Sequence, residues 1–113
     1  MSNNCSLKIY YQFLEANKEN HENIITLEKL GHKVINSMSI KNEVALEEIK
    51  NADVILFNAT NFPNFCFKKW IYADEAIKLN KEIWVVSKTQ TPSLYINSIF
   101  KNWFEVYSEL HPV

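Results

Sequence analysis

The side chains most able to hold a small molecule crowd into one loop. From Asn58 to Asn64 the chain reads NATNFPN, so Asn58, Thr60 and Asn61 offer amide and hydroxyl groups within a few residues. Tyr10, Tyr11 and Gln12 close an upstream apolar run, Lys68 and Lys69 follow the loop, and Tyr72 and Ser87 lie beyond. Aromatic rings of this kind stack on the face of a base or sugar, while amides match its hydrogen-bonding edges. Lys68 or Lys69 would attract a phosphate. The bland reading stands beside this one: Asn and Thr after a strand are also ordinary turn and cap residues, and Tyr10 can be core.

These residues need a frame, and the stretch Asn51 to Ser87 supplies the pattern of buried strand, polar loop, helix and buried strand. Leu7 to Tyr11 reads as the first strand. A helix follows, capped by Asn17 or Asn20, with Ile24, Leu27 and Leu30 or Ile25 as its inner stripe and Gly31 at its end. Lys33 to Asn36 is the second strand. After a polar loop from Ser37 to Asn42, a short helix over Glu43 to Lys50 buries Ala45 and Ile49. Asp53 to Phe57 is a third strand whose unbroken apolar run suits a parallel strand covered on both faces.

Pro63 opens the loop into a helix predicted over Phe65 to Leu79, with Cys66, Trp70, Ala73 and Ile77 on its inner face. Glu82 to Val86 is strand four. Thr91 and Pro92 signal a helix start, with Ile96, Ile99, Phe100 and Trp103 as the buried stripe. Phe104 to Tyr107 is then an edge strand before a tail from Glu109 to Val113. The reading is a single domain over 1–113, α/β in class: a small Rossmann- or flavodoxin-like three-layer sandwich. Its parallel sheet has four or five strands in order 2-1-3-4-5.

In that order the ligand crevice lies outside the carboxyl ends of strands one and three. Tyr10, Tyr11 and Gln12 would wall one side and Asn58 to Asn64 the other, with 36–39 and 87–91 as rim. The helix after strand three would aim its positive end into the crevice.

Composition narrows the classes. With 113 residues, 47% hydrophobic and 13% aromatic, the chain can build one core and is not disordered. Net charge is −1 and all 12 basic residues are lysine, so the bidentate arginine clamp of sequence-specific nucleic-acid readers is missing. No apolar run is long enough to span a bilayer. MSNNCSLK lacks the basic start and apolar stretch of a secretory signal, and a cytoplasmic protein is expected. Cys5 and Cys66 have no metal or redox spacing and read as free thiols, with Cys66 packed in the core. His21, His32 and His111 share no ligand spacing, so no metal and no cofactor is expected. A glycine-rich phosphate loop, a GxSxG elbow and the acidic metal ligands of a receiver domain are all missing.

Four segments together resemble the nucleoside 2-deoxyribosyltransferase-like superfamily, including its small phage and bacterial members, and more loosely TIR-type domains. They are KIYY (Lys8 to Tyr11), EKLGHKVINS (Glu28 to Ser37), NADVILFNATNF (Asn51 to Phe62) and AIKLNKEIWVV (Ala76 to Val86). The resemblance implies a site for nucleosides, nucleotides or ADP-ribose-like ligands, often in a homodimer. It also implies a glutamate, on the helix after strand three, that attacks or stabilises the sugar carbon during N-glycosidic cleavage. Alignment through Ala76, Asn80 and Lys81 sets Tyr72 where that glutamate belongs. The glycine before it and a Gly-Pro after strand one are also missing. Glu75, one turn later, is the substitute candidate, though it stands far from the helix start.

The expectation is therefore a homo-oligomeric binder of a nucleotide, nucleoside or ADP-ribose-like ligand, without turnover and with neither nucleic acid nor membrane as partner. Sequestering a nucleotide signal is one form of that role. Two alternatives stay open. One is an N-glycosidase or nucleoside deoxyribosyltransferase using Glu75. The other is a protein-interaction module presenting Phe62, Phe65, Phe67 and the Trp103–Phe104 pair.

Overall fold

The computed structural model describes residues 6–15, 17–62 and 65–110. Its five strands are β1 (Lys8–Gln12), β2 (Lys33–Asn36), β3 (Val54–Asn58), β4 (Glu82–Val86) and β5 (Ser98–Phe100). All neighbours pair in parallel, in the order β2-β1-β3-β4-β5. The fold is thus the small Rossmann-like α/β sheet that alternating strands and helices predict. Every residue of β3 is buried, as a central parallel strand requires when both faces are covered.

Helices α1 (Lys18–Lys29) and α4 (Trp103–Leu110) cover one face; α2 (Asn42–Asn51) and α3 (Ala73–Lys78) cover the other. The period of two along each strand sorts the core. Ile9, Tyr11, Leu56 and Trp84 pack with Leu27 of α1 and Val106 of α4. Tyr10, Ile55, Phe57 and Val85 pack with Ile49 of α2 and Ala73 and Ala76 of α3. Adjacent tyrosines therefore serve opposite layers.

Local chemistry explains the ends of α1 and α3. Asn17 caps α1 by accepting from the Asn20 amide at 2.9 Å. Gly31, at φ 100°, closes it with a paired motif in which Gly31 N–H donates to Glu28 and His32 N–H to Leu27. The end of α3 repeats that motif without a glycine. Asn80 adopts φ 56°, and the Asn80 and Lys81 amides donate to Ile77 and Ala76.

Two stretches depart from the periodicity. The helix predicted over Phe65 to Leu79 is instead one 3-10 turn (Phe67–Lys69), extended backbone at Trp70 (ψ 137°), and the six-residue α3. The cause is Phe57: the rings of Phe65, Phe67 and Trp70 lie 5.0, 5.8 and 4.9 Å from its own. Residues two apart on a helix point about 200° apart, so a continuous helix could not deliver all three rings to one neighbour. Cys66 is consequently exposed, not packed in the core.

The second departure follows β4. Thr91–Pro92 starts no helix; the chain runs irregularly to Asn97, whose backbone N–H donates to the Ile83 carbonyl while its side chain accepts from the Ile83 amide, at 2.8 and 2.7 Å. That clamp delivers residues 98–100 to the β4 edge as β5, satisfying backbone groups a helix would leave open. The expected edge strand over Phe104 to Tyr107 is part of α4. Asn102 accepts from the Glu105 amide, and the Glu105 carboxylate accepts from Lys101 N–H, a variant of the capping box. Of the tail, Glu109 and Leu110 belong to α4, whereas 111–113, with His111, lie outside the described residues, as do Cys5, Pro63 and Asn64. Among the described residues no helix is long and apolar enough to cross a membrane.

Candidate functional site

The order reverses between β1 and β3, and a cavity of about 410 Å³ opens there at their carboxyl ends. That volume sits toward the lower end of the range of about 300–1,000 Å³ usual for small-molecule sites. Five aromatic side chains line it: Phe13 after β1, Phe57 on β3, and Phe62, Phe65 and Trp70 from the segment after β3. The polar groups on it are Gln12, Asn58, Asn61, Cys66 and Lys69. Among the described lining residues none is acidic.

Four of the sequence-predicted site residues, Gln12, Asn58, Asn61 and Lys69, meet at this cavity. Asn58 arrives with its side chain already engaged. Its amide nitrogen donates to Asn20 Oδ1 at 2.7 Å and to the Tyr11 hydroxyl at 3.2 Å, while its oxygen accepts from the Thr60 hydroxyl and amide. Gln12 uses its nitrogen on the neighbouring Phe13 carbonyl at 3.3 Å. Asn61 is exposed, and its side chain bonds to no other described residue. The polar wall groups with no hydrogen-bond or ion-pair partner among the described residues thus include Asn61, the Gln12 oxygen and the Lys69 ammonium.

The remaining predicted residues lie elsewhere. Tyr10 is 1% exposed beneath Trp70, and burial, with Tyr72 and Glu48 nearby, pushes its phenol up to about 12. Tyr11 is fully buried on the opposite face, where burial raises its phenol above the usual range and hydrogen bonds from Asn23 and Asn58 only partly offset that. Neither ring can stack on a ligand. Thr60 is exposed and bonded back to Asn58. Ser87 is buried, its hydroxyl accepting from the Thr89 amide. Lys68 sets its ammonium 5.2 Å from the Tyr95 ring, whereas Lys69 faces the cavity and pairs with no carboxylate among the described residues.

Tyr72 donates to Asn42 Oδ1 at the start of α2, away from the cavity wall. Glu75 lies 3.6 Å from Lys78 Nζ on α3 and does not line the cavity. The twelve described residues between β3 and α3 form no α-helix, so among the described residues no helix starts at the crevice as expected; the aromatic cluster on Phe57 takes its place. Phe62 and Phe65 are half-buried on the cavity wall and Phe67 is buried, which leaves Phe104, 77% exposed, as the projecting ring of the proposed interaction set.

Sequence reading placed Phe62 on the crevice wall, within Asn58 to Asn64, but passed over Phe13, Phe65 and Trp70 as lining and the amides behind it. Phe65 and Trp70 carried a visible signal, since ring density this high in a loop needs a packing partner. Asn20 and Asn23 carried another: they share the helix stripe of Leu27, and all three are buried.

No family model and no curated protein matches the sequence. Among solved structures, the chain is similar to an NAD+-bound 3-phosphoglycerate dehydrogenase of Entamoeba histolytica, with 24% identity and a TM-score of 0.46. The match covers 82% of this chain, which spans 28% of that one. A likeness this weak assigns no ligand to the cavity.

Proposed function

We propose that the protein is a binding module for a single-base nucleotide-type ligand, held in the switch-point cavity without turnover. The carrying observation is the pairing of an aromatic wall with the Lys69 ammonium, which has no carboxylate partner among the described residues, in a cavity of about 410 Å³. A base would lie among Phe62, Phe65 and Trp70, where ring faces contribute stacking on the order of 1–3 kcal/mol. Asn61 and the Gln12 oxygen would meet its sugar or base edge. Lys69 would receive a phosphate as a point charge, without the backbone cradle that a glycine-rich loop gives to a polyphosphate. Glu75 stands off the cavity in an ion pair, which favours binding over N-glycosidic cleavage.

A thermal-shift and calorimetry panel tests this, because a ligand bound only by the native state raises the melting temperature. Nucleosides, nucleoside monophosphates, ADP-ribose and NAD+ would each be titrated into the purified chain. The expected result is saturable binding of at least one monophosphate, with no free base released on prolonged incubation. Silence across the whole panel overturns the nucleotide reading. Base release that vanishes in Glu75→Gln overturns the absence of turnover.

A further inference from the structure

Two lips border the cavity: Phe13 and Leu14, just after β1, and Asn61 and Phe62, just after β3. No ladder joins them, since both lie beyond the last paired residues of their strands. One buried side chain does. Asn20, 4% exposed on the first turns of α1, donates through Nδ2 to the Glu15 carbonyl at 2.8 Å. Its Oδ1 accepts from Asn58 Nδ2 at 2.7 Å and from the Tyr11 hydroxyl at 2.6 Å.

We propose that Asn20 is the positioning residue of the cavity, tying the β1 lip to the exit of β3 and so fixing the spacing of the two walls. The proposal gives that spacing a role in holding the nucleotide-type ligand, and to that extent rests on the preceding reading. Connectivity supports it over a merely structural role. Glu15 follows directly on Leu14, a lining residue, and Asn58 is itself a lining residue three positions before Asn61. One amide, with a donor and an acceptor on opposite edges, meets both ends; a carboxylate or an apolar side chain cannot. Asn23 and Tyr107 extend the same network away from the cavity, the Tyr107 hydroxyl donating to Asn23 Oδ1 at 2.9 Å, and neither side chain hydrogen-bonds to a lip among the described residues.

The test is backbone ¹⁵N relaxation on the unliganded chain, comparing wild type with Asn20→Asp, Asn20→Ala and Tyr107→Phe. Aspartate keeps the acceptor toward Asn58 and Tyr11 but cannot donate to Glu15. Order parameters at Leu14 and Glu15 should then fall from about 0.85 to below about 0.6, while 60–62 stay rigid. Alanine should loosen both lips, and Tyr107→Phe neither. Equal loosening in Tyr107→Phe, or rigid Leu14 and Glu15 in Asn20→Asp, overturns the proposal. Should the Asn20 variants fail to fold, the wild type still decides: Leu14 and Glu15 already below about 0.6 would mean that no tether acts. No ligand enters these measurements, so their failure leaves the nucleotide reading standing, and a silent nucleotide panel leaves the tether standing.

Discussion

Replacing Tyr11 by phenylalanine removes one oxygen from the interior and three hydrogen bonds with it. The hydroxyl donates to Asn20 Oδ1 at 2.6 Å and accepts from Asn23 Nδ2 and Asn58 Nδ2 at 3.3 and 3.2 Å. Its neighbours differ in what they keep. Asn20 Oδ1 and Asn58 Nδ2 retain each other, so each keeps one partner. Asn23 Nδ2 retains no partner among the described residues and is 7% exposed. The short bond lost is worth about 1 kcal/mol net, and the stranded buried donor costs about 1–3 kcal/mol more. The sum is a destabilisation of about 2–4 kcal/mol, or roughly 8–16 °C in melting temperature for a chain of this size. Tyr10→Phe is the internal control. Its hydroxyl bonds to no described residue, although the ring is 1% exposed, so that change should stay within about 0.5 kcal/mol. Urea denaturation of both variants beside wild type measures the difference. Equal costs for the two neighbours, or a Tyr11→Phe variant as stable as wild type, would refute the claim that the amide network contributes to stability.

Lys69→Ala should weaken a nucleoside monophosphate about 5- to 30-fold by calorimetry, the worth of one charge-assisted contact of about 1–2 kcal/mol; the matching nucleoside should be unaffected. At Gly31, φ is 100° and a Cβ would meet nothing within 4 Å, so Gly31→Ala should cost about 1 kcal/mol through backbone strain alone. Asn80→Gly, at φ 56°, should gain several tenths of a kcal/mol; denaturant midpoints read both. His32 accepts from the Leu7 amide through Nδ1, and burial lowers its pKa below the usual 6.5. The folded ring stays neutral while the unfolded one takes up a proton. Stability should therefore hold above about pH 6.5 and fall as the pH drops through and below that value. His32→Asn should flatten this part of the pH profile; an unchanged slope would assign it to other groups.

Strands one to four were legible because they are short apolar runs with polar ends, and three helix boundaries carry capping residues that act locally. Asn17, Gly31 and Asn80 mark helix ends through bonds to residues within five positions, which sequence spacing encodes directly. The failures sit where a distant partner decides. Phe65 to Ile77 has helical periodicity, yet three rings must converge on Phe57, a strand residue, and that demand breaks the helix at Trp70. Likewise Thr91–Pro92 is a sound helix signal overruled by Asn97, which clamps onto Ile83 of β4. The missed α4 had its own mark, Asn102 three residues before Glu105, outweighed in the reading by the β-forming look of FEVY.

The switch-point rule located the cavity, whereas residue type misassigned its parts. A parallel sheet leaves unpaired backbone and side-chain polar groups at its carboxyl edge, and the first claim on them is internal. Asn58, Thr60 and Tyr11 satisfy one another and Asn20 before any ligand arrives, because a buried amide without partners would cost more than recognition of a guest returns. What would remain for a guest is surface without an internal partner among the described residues: ring faces and an ammonium without a carboxylate. An amide in the loop after a central strand is thus read better as scaffold until its bonds are counted. The candidate recognition groups are those left over, here Asn61, Lys69 and the aromatic wall. On that logic, substitutions at Asn58 should act on stability first and on binding only through it, while substitutions at Asn61 and Lys69 should do the reverse.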